Sequence, residues 1–412
     1  MTASTSPGMS KGRSAQHNFF WFQSVKILLT NHQLINDNGT EVFVYTLADQ
    51  LVQLGHEVVV YSPFLGGIRE KFDRRGIPVC DDLTALPDDF HLAHVHHNIT
   101  AYEVRDRFPS LPILYMAHGI KSTLEHLPQA NIGISQFVAS SDGIRESMLA
   151  NGVPADRLEI VRNLVDERLF FPGEALPPQP RRALMLSNKV DPRTELIIRE
   201  ACRQRDIQIT FVGARFGRVP NDQIPDMIRA SDIVFSLGRG VIEAMFCGRV
   251  PIVFDHEGGD GLVTPQNFAE VLKRNFSGKR YQRNITVQEL VDEIGLYHQE
   301  YGMQLRALAT AEFSATRQTE KLLRLYETCL KREVPALTDS ETRLIHSICE
   351  MIAKTRVYAL RKGEGLAHER LAVEVGGKKM YRLFHSIGTL RYRLFPEGST
   401  RVRFLQRFTR RN

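Results

Sequence analysis

The sequence predicts an α/β protein of two similarly sized domains followed by a basic helical C-terminal extension, and three observations support this. Apolar strand-like runs alternate with amphipathic helical stretches along residues 25–333, the pattern of parallel sheets covered by helices. The segment PGEALPPQPRR, residues 172–182, has four prolines in eleven residues. So many fixed φ angles and missing N–H donors make a stiff linker. Several apolar runs also end in polar, glycine-bearing loops, where α/β sheets place their ligands.

Composition narrows the function classes. The 412 residues suffice for two cores and an appendage, and 42% hydrophobic with 24% charged residues suits a soluble globular chain. Cys80, Cys202, Cys247, Cys329 and Cys349 are scattered without metal-ligand spacing. Neither a disulfide framework nor a zinc site is expected, and a reducing cytoplasm fits best. Residues 1–24 are polar, Ser-rich and lack an apolar signal core, so they read as a disordered arm. No uncharged apolar run approaches the roughly 18 residues of a membrane span. The net charge of +6 is uneven: from Glu341 onward there are 16 Lys plus Arg against 6 Asp plus Glu. The body is therefore mildly acidic and the tail basic, suiting an acidic membrane surface, a nucleic acid or an acidic protein partner.

The first domain, residues 25–171, opens with the buried strand VKILLTN and the polar loop HQLINDNGTE. A helix is expected from Glu41 to Leu54, with Val42, Val44, Leu47, Leu51 and Leu54 at helical spacing, and GHEVVVYSP gives the second strand. The loop lacks a GxGxxG fingerprint, so a dinucleotide site is not supported. Asn38, Gly39, Thr40 and Glu41 instead form a loop-to-helix junction whose N–H groups suit a ligand. HLAHVHHN reads as a strand carrying His94, His96 and His97, and LPILYMAHG as another, ending at His118 and Gly119. His94 and His96 alternate on a strand with no supporting Asp or Cys, so no metal is expected there. His118 stands at a strand end, suited either to a ligand or to a satisfied structural role. A strand ending near Ser135, a helix from Asp142 to Leu149 and a strand from Leu158 to Val161 complete the domain.

The second domain, residues 183–333, begins with the strand ALMLSN, after which Lys189 and Arg193 precede the helix TELIIREACRQR. The strand IQITFVGA and the short helix NDQIPDMIRAS lead to SDIVFSLGRGVIEAMFCGRVPIVF, residues 231–254. This stretch reads as strand, glycine turn (Gly238, Arg239, Gly240), helix from Val241 to Cys247, then strand. Amides at such a turn and helix start favour a phosphate, and Arg239 adds a full charge. Glu243, expected in the first helical turn, would repel phosphate but accept hydrogen bonds from ribose hydroxyls; it would equally complement the helix N-terminus. The loop DHEGGDG is too glycine-rich to be regular. Its Asp255, Glu257 and Asp260 are oxygen ligands without EF-hand spacing, so no metal is expected. Helices follow over Pro265 to Arg274 and Val287 to Lys331. In the tail, 334–412, Leu344, Ile345, Ile348 and Ile352 mark a helix, and a basic stretch interleaved with aromatics follows. It reads either as a packing helix with a solvated basic end or as a membrane-surface element.

These motifs together resemble a glycosyltransferase family. Asn38 to Glu41 looks like its Gly-Gly-x-Glu loop, Ala117 to Gly119 its His-Gly strand end, and residues 133–172 its domain-closing segment. ASDIVFSLGRGVIEAMFCGRVPIV resembles its donor-binding EAMA-G-P-V core. The chain is thus similar, over roughly residues 25–330, to the GT-B glycosyltransferases of the large retaining family 4. The resemblance implies two Rossmann-like domains facing a cleft and transfer of a sugar from a nucleotide-sugar donor to a glycan or lipid-linked glycan acceptor, as in bacterial-type cell-surface polysaccharide synthesis. It implies that Glu243 holds the ribose and that the amides from Gly238 through Arg239 and Gly240 to Val241, with Lys189 or Arg193, neutralise the diphosphate. Gly39 and Thr40 would face the diphosphate and acceptor, and His118 would touch the donor sugar or an acceptor hydroxyl. No cofactor is implied, and nucleic acid is not an expected partner. The expected location is the cytoplasm, with possible attachment to the cytoplasmic membrane face through the tail. The chain departs from the pattern at Phe235, where the family has a sugar-contacting glutamate, at Asn38 for a glycine, and at Leu164 for the glycine after Asn163. A sugar-nucleotide epimerase or a silent nucleotide-sugar-binding protein is the alternative on the same fold.

Overall fold

A computed structural model describes residues 24–362 apart from 36, 38, 121, 218, 257 and 282. The first half runs β1 (Lys26–Thr30), α1 (Gly39–Gln53), β2 (Glu57–Tyr61), α2 (Arg69–Arg74), β3 (Val79–Cys80), β4 (Leu92–His96), α3 (Asn98–Arg107), β5 (Ile113–Ala117), β6 (Gln136–Ala139), α4 (Asp142–Ala150) and β7 (Leu158–Ile160). These strands form a seven-stranded sheet in the order β3-β2-β1-β4-β5-β6-β7, parallel throughout. Residues alternate between its two covered faces: Ile27 and Leu29 join the core beneath α1, Leu28 the opposite core. Burial on both faces is why the strands read as continuous apolar runs.

The second half runs β8 (Arg182–Leu186), α5 (Pro192–Gln204), β9 (Gln208–Val212), α6 (Ile224–Arg229), β10 (Ile233–Ser236), α7 (Arg239–Phe246), β11 (Val250–Asp255), β12 (Gly258–Leu262), α8 (Phe268–Leu272), α9 (Val287–Gly295), α10 (Tyr301–Phe313), α11 (Ala315–Lys331) and α12 (Asp339–Lys362). Its sheet has the order β12-β11-β10-β8-β9, parallel except for β12 against β11. β12 corrects the expectation of an irregular loop. The glycines there permit close pairing, since a Cβ on Gly259 would lie 2.0 Å from Val253 O, and a register shift at Val253/Phe254 accommodates the extra residue.

Other boundaries moved for local reasons. α1 starts two residues before the expected Glu41, and β6 begins just after Ser135. The expected helical stretch 287–331 is three helices, and the break before the third falls at Ser314, which takes φ −52 and ψ 125 and caps α11 with its hydroxyl. The polar helices α2 and α3 have no clear apolar stripe in the sequence; α3 is nonetheless anchored by Ile99, Ala101, Tyr102 and Val104.

The chain crosses between the sheets at 161–181 and again at 313–315, and the crossings are tied together. Val165 N–H donates to Phe313 O (2.9 Å) and Ala315 N–H to Val165 O (3.0 Å). After the second crossing, α11 returns Leu322, Leu323 and Tyr326 to the core under the first sheet. α12 then inserts Ile345 and Ile352 beside α3, and Arg356 pairs with Glu103 at 2.8 Å. The start of the basic tail is therefore a packing helix, although Leu344 is 49% exposed instead of joining the stripe. The basic-aromatic stretch lies outside the described residues. No helix among the described residues is long and apolar enough to cross a membrane.

Candidate functional site

The carboxyl ends of both sheets border one cleft of about 1250 Å³. That exceeds the usual span for a single small ligand, leaving room for two. Its most specific wall is the β10–α7 junction. Gly238 takes φ 57 and ψ −117, a conformation L side chains rarely adopt, and its N–H donates to Phe276 O at 2.7 Å. Gly240 is required for another reason: a Cβ there would lie 2.3 Å from Ser236 Oγ, so its absence lets α7 start against the strand. No side chain caps α7, leaving the first-turn amides without intrahelical acceptors.

α7 begins at Arg239, earlier than expected, which moves Glu243 into the second turn and four residues after Arg239. At that spacing the side chains meet, and Arg239 Nε–H donates to Glu243 Oε1 at 2.6 Å. The expectation of Arg239 as a bare phosphate charge is corrected accordingly: its Nε–H is committed to Glu243. Burial pushes the Glu243 carboxyl up from its ordinary value, and the Arg239 guanidinium opposes that. The pair holds an anionic acceptor where an unpaired carboxylate would be costly.

Beside this junction lie Ser187, Lys189, Asp255 and Lys279. Ser187 Oγ–H donates to Asp255 Oδ2 at 2.5 Å and accepts the Lys189 backbone N–H at 3.1 Å. The Lys189 side chain is exposed in the cleft. From the first domain come Asp37, Gly39, Thr46 and the α2 face with Lys71. Lys71 pairs with Asp37 at 2.5 Å, and Asn221 Nδ2–H donates to Asp37 O at 2.7 Å, tying the two walls together.

The first sheet's carboxyl edge is filled by imidazoles. His94 and His96 stack (centroids 4.6 Å apart), as do His96 and His118 (4.8 Å). His96 Nδ1 and His118 Nε2 share a 2.6 Å hydrogen bond, and His94 Nδ1 shares one of 2.7 Å with the Tyr326 hydroxyl. Glu125 accepts the His118 N–H at 3.0 Å and faces His97 Nε2 at 3.5 Å. Burial holds His94 down at about 3 and His118 at about 4. Burial alone would raise Glu125, yet the His97 hydrogen bond and the His97 and His118 charges bring it to about 2.

Of the expected site residues, Gly39, Lys189, Gly238, Arg239, Gly240 and Glu243 line the cleft. Thr40 does not; its hydroxyl accepts from Asn31 Nδ2–H at 3.4 Å. Val241 is fully buried in the second-domain core, contributing only backbone to the turn. Arg193 is exposed away from the cleft and reaches Asn284 Oδ1 at 3.3 Å. His118 is at its expected strand end but outside the cleft lining, because its Nε2 is taken by His96 and its ring packs against Phe43 at 4.7 Å. Asp255, Ser187, Asn221 and Lys279 were not anticipated as cleft groups; for Asp255 the signal was an acid ending the apolar run VPIVFD. Asp260 accepts the Tyr281 N–H at 2.7 Å, and among the described residues no three His, Cys, Asp or Glu are grouped as a metal ion requires.

Two α/β domains with strand ends turned to one cleft, joined by a double crossing, define the GT-B class. The family described as Glycosyltransferase Family 4 matches residues 37–169. A glycosyltransferase from Rickettsia africae superposes with a TM-score of 0.57 at 16% identity, over 76% of this chain and 100% of its own. Anabaena HepE in complex with UDP and glucose gives 0.53 at 17%, over 74% and 99%; HepE in complex with UDP-glucose gives the same values. Comparison with curated protein sequences found no significant match. The chain has the GT-B fold, and its first domain is similar to Glycosyltransferase Family 4.

Proposed function

We propose that this protein transfers a hexosyl group, with retention, from a nucleotide-sugar donor to a glycan or lipid-linked glycan acceptor, in cell-surface polysaccharide assembly at the cytoplasmic face of a membrane. The observation that carries the donor side is the uncapped glycine turn Gly238–Gly240 with the Arg239–Glu243 pair beside it in the cleft. Structural neighbours that contain UDP or UDP-glucose support a nucleotide-sugar donor.

In this reading the first-turn amides of α7 and the Lys189 ammonium hold the diphosphate. Charge grows on that leaving group as the glycosidic bond breaks, so donors already aimed at it lower the barrier without reorganising, and the positive charge comes from the protein instead of a metal. Glu243, oriented by Arg239, accepts the ribose hydroxyls. The acceptor enters from the side of Gly39 and α2. Closure about the Val165–Ser314 crossing, latched by Asn221 on Asp37, excludes water that would otherwise hydrolyse the donor.

The test is nucleotide release from UDP-, GDP- and dTDP-sugars by wild type and Glu243→Ala. A charge-assisted hydrogen bond is worth roughly 1.5–3 kcal/mol, so kcat/KM should fall roughly 10- to 100-fold, mostly through KM, because ribose is held equally in ground and transition states. Equal turnover by both proteins overturns the role of Glu243. Phe235, fully buried in the second-domain core, supplies no sugar contact and favours a second reading, epimerisation of a sugar nucleotide. Product analysis without an acceptor separates the two.

A further inference from the structure

We propose that Asp255 is the group that selects the donor sugar, accepting hydrogen bonds from two of its hydroxyls. The inference rests on the nucleotide-sugar reading of the cleft and adds a contact to it. Strands β8 and β11 flank β10, so their ends lie about two strand spacings, roughly 10 Å, apart. The 2.5 Å bond from Ser187 Oγ to Asp255 Oδ2 spans that gap, which requires both side chains to lean over the end of β10. There Ser236 donates its own hydroxyl to Leu186 O at 2.7 Å, and the Gly238 turn begins two residues later. The Asp255 carboxylate thus forms part of the cleft floor beside the amides of α7.

Its partners decide what it can bind. Asp255 is buried, 3% exposed, and its recorded contacts are the Ser187 hydroxyl, the His256 backbone N–H at 2.6 Å and His256 Nδ1 at 3.4 Å. No lysine or arginine pairs with it among the described residues. A carboxylate has about four lone-pair sites, so acceptor capacity remains after these contacts. Phosphate oxygens have no proton to give and would be repelled; sugar hydroxyls are donors. Glu243 is already committed to the ribose, so the hydroxyls left for Asp255 are those of the transferred sugar. Phe235 on the neighbouring strand points into the core and leaves this contact to Asp255. A site built to accept particular hydroxyls rejects analogues lacking them far more strongly than a merely shaped pocket does.

The experiment titrates the full chain with UDP, UDP-glucose, UDP-galactose, GDP-mannose and dTDP-rhamnose, then with singly deoxygenated forms of the preferred donor, for wild type, Asp255→Asn and Ser187→Ala. In wild type, at least one deoxygenation is expected to weaken binding 10-fold or more. In D255N the intact donor should weaken by a similar factor, the deoxygenated donor should weaken no further, and the bare nucleotide should stay within twofold. S187A, which keeps the carboxylate, should retain the donor preference. Equal weakening of nucleotide and sugar nucleotide in D255N would show that Asp255 only shapes the 187–189 loop and would overturn the proposal. So would additive losses on deoxygenation and mutation. Deoxygenated donors report on wild type alone, so the test stands even if D255N does not fold: no deoxygenation costing fivefold overturns it. If wild type binds no sugar nucleotide in the panel, the donor reading fails and this inference with it. If wild type binds and D255N matches it throughout, only the inference fails.

Discussion

The two sheets present the same edge to the cleft and use it in opposite ways. At the first, His32, His96, His97 and His118 occupy the strand ends above His94 of β4; His96 stacks between His94 and His118, His32 meets His97 edge-on, and Phe43 meets His96 and His118 edge-on. At the second, the strand ends carry Ser187, Gly238 and Asp255, small or anionic groups that leave backbone amides open. A parallel sheet guarantees only that loops gather at this edge. Side-chain volume then decides whether the edge closes into a core or opens into a binding site.

The sharpest way to break the contrast is to fill the open edge. In Gly240→Val even the Cβ would sit 2.3 Å from Ser236 Oγ and 3.1 Å from its Cβ, and the valine methyls add to that crowding, so Ser236 must give up its bond to Leu186 O or α7 must shift its amides away from β10. Donor binding should fall by more than 100-fold, roughly 3 kcal/mol, the order of an overpacking penalty. On the first side, Gly39→Ala introduces a Cβ with nothing within 4 Å, and less than a tenfold change is expected. Titration of both variants with the same sugar nucleotide checks this; equal losses would show that the two edges are not functionally different.

How much of this contrast could be read in advance depended on the range of the interactions. Strands such as KILLT and ILYMA are legible because both faces are buried, making every residue apolar. The glycine turn is legible because only a special backbone requires Gly238. The strand GGDGL was hidden because its pairing depends on missing side chains. Arg239 and Glu243 were both noticed, but their pairing follows from where α7 starts, which a positive φ decides. Ser187 and Asp255 lie 68 residues apart, and nothing local to either predicts that they meet over β10. His118 was read as a ligand group because a strand end allows that role; its neighbours His96 and Phe43 reach it only through the fold.

Acid should find the difference next. His94 and His32 are held at about 3 and His118 at about 4, against an ordinary 6.5, and His96 is also well below its ordinary value, burial being the first cause in each. The fold keeps these rings neutral while the unfolded chain protonates them near 6.5. Their contribution is therefore complete above about pH 6.5 and lost as pH falls towards 4, at up to about 1.4 kcal/mol per pH unit for each ring that stays neutral. Glu125, held at about 2 against an ordinary 4.5, adds a further loss from about 4.5 downward. Denaturant titrations at pH 7.5, 6.0 and 5.0 should show stability falling steadily. A flat profile over that window would mean that the first edge is not sealed.

The smallest change tests whether the sealed edge is only structural. The Tyr326 hydroxyl, carried by α11 after the second crossing, is the recorded partner of His94 Nδ1, and His94 Nε2 is buried without one. Tyr326→Phe keeps the ring and its packing but leaves both nitrogens of His94 unpartnered in a dry site. The cost should be about 1–3 kcal/mol, that of a buried polar group deprived of its hydrogen bond, and urea unfolding at pH 7.5 would read it as a lower midpoint with unchanged slope. Because the histidine stack contributes no group to the cleft lining, kcat/KM for sugar transfer should stay within about twofold of wild type under folding conditions. A tenfold loss of transfer at unaltered stability would carry the opposite message: that His94, His96 and His118 relay the position of α11 to the acceptor side, and that the first edge takes part in the chemistry it otherwise only supports.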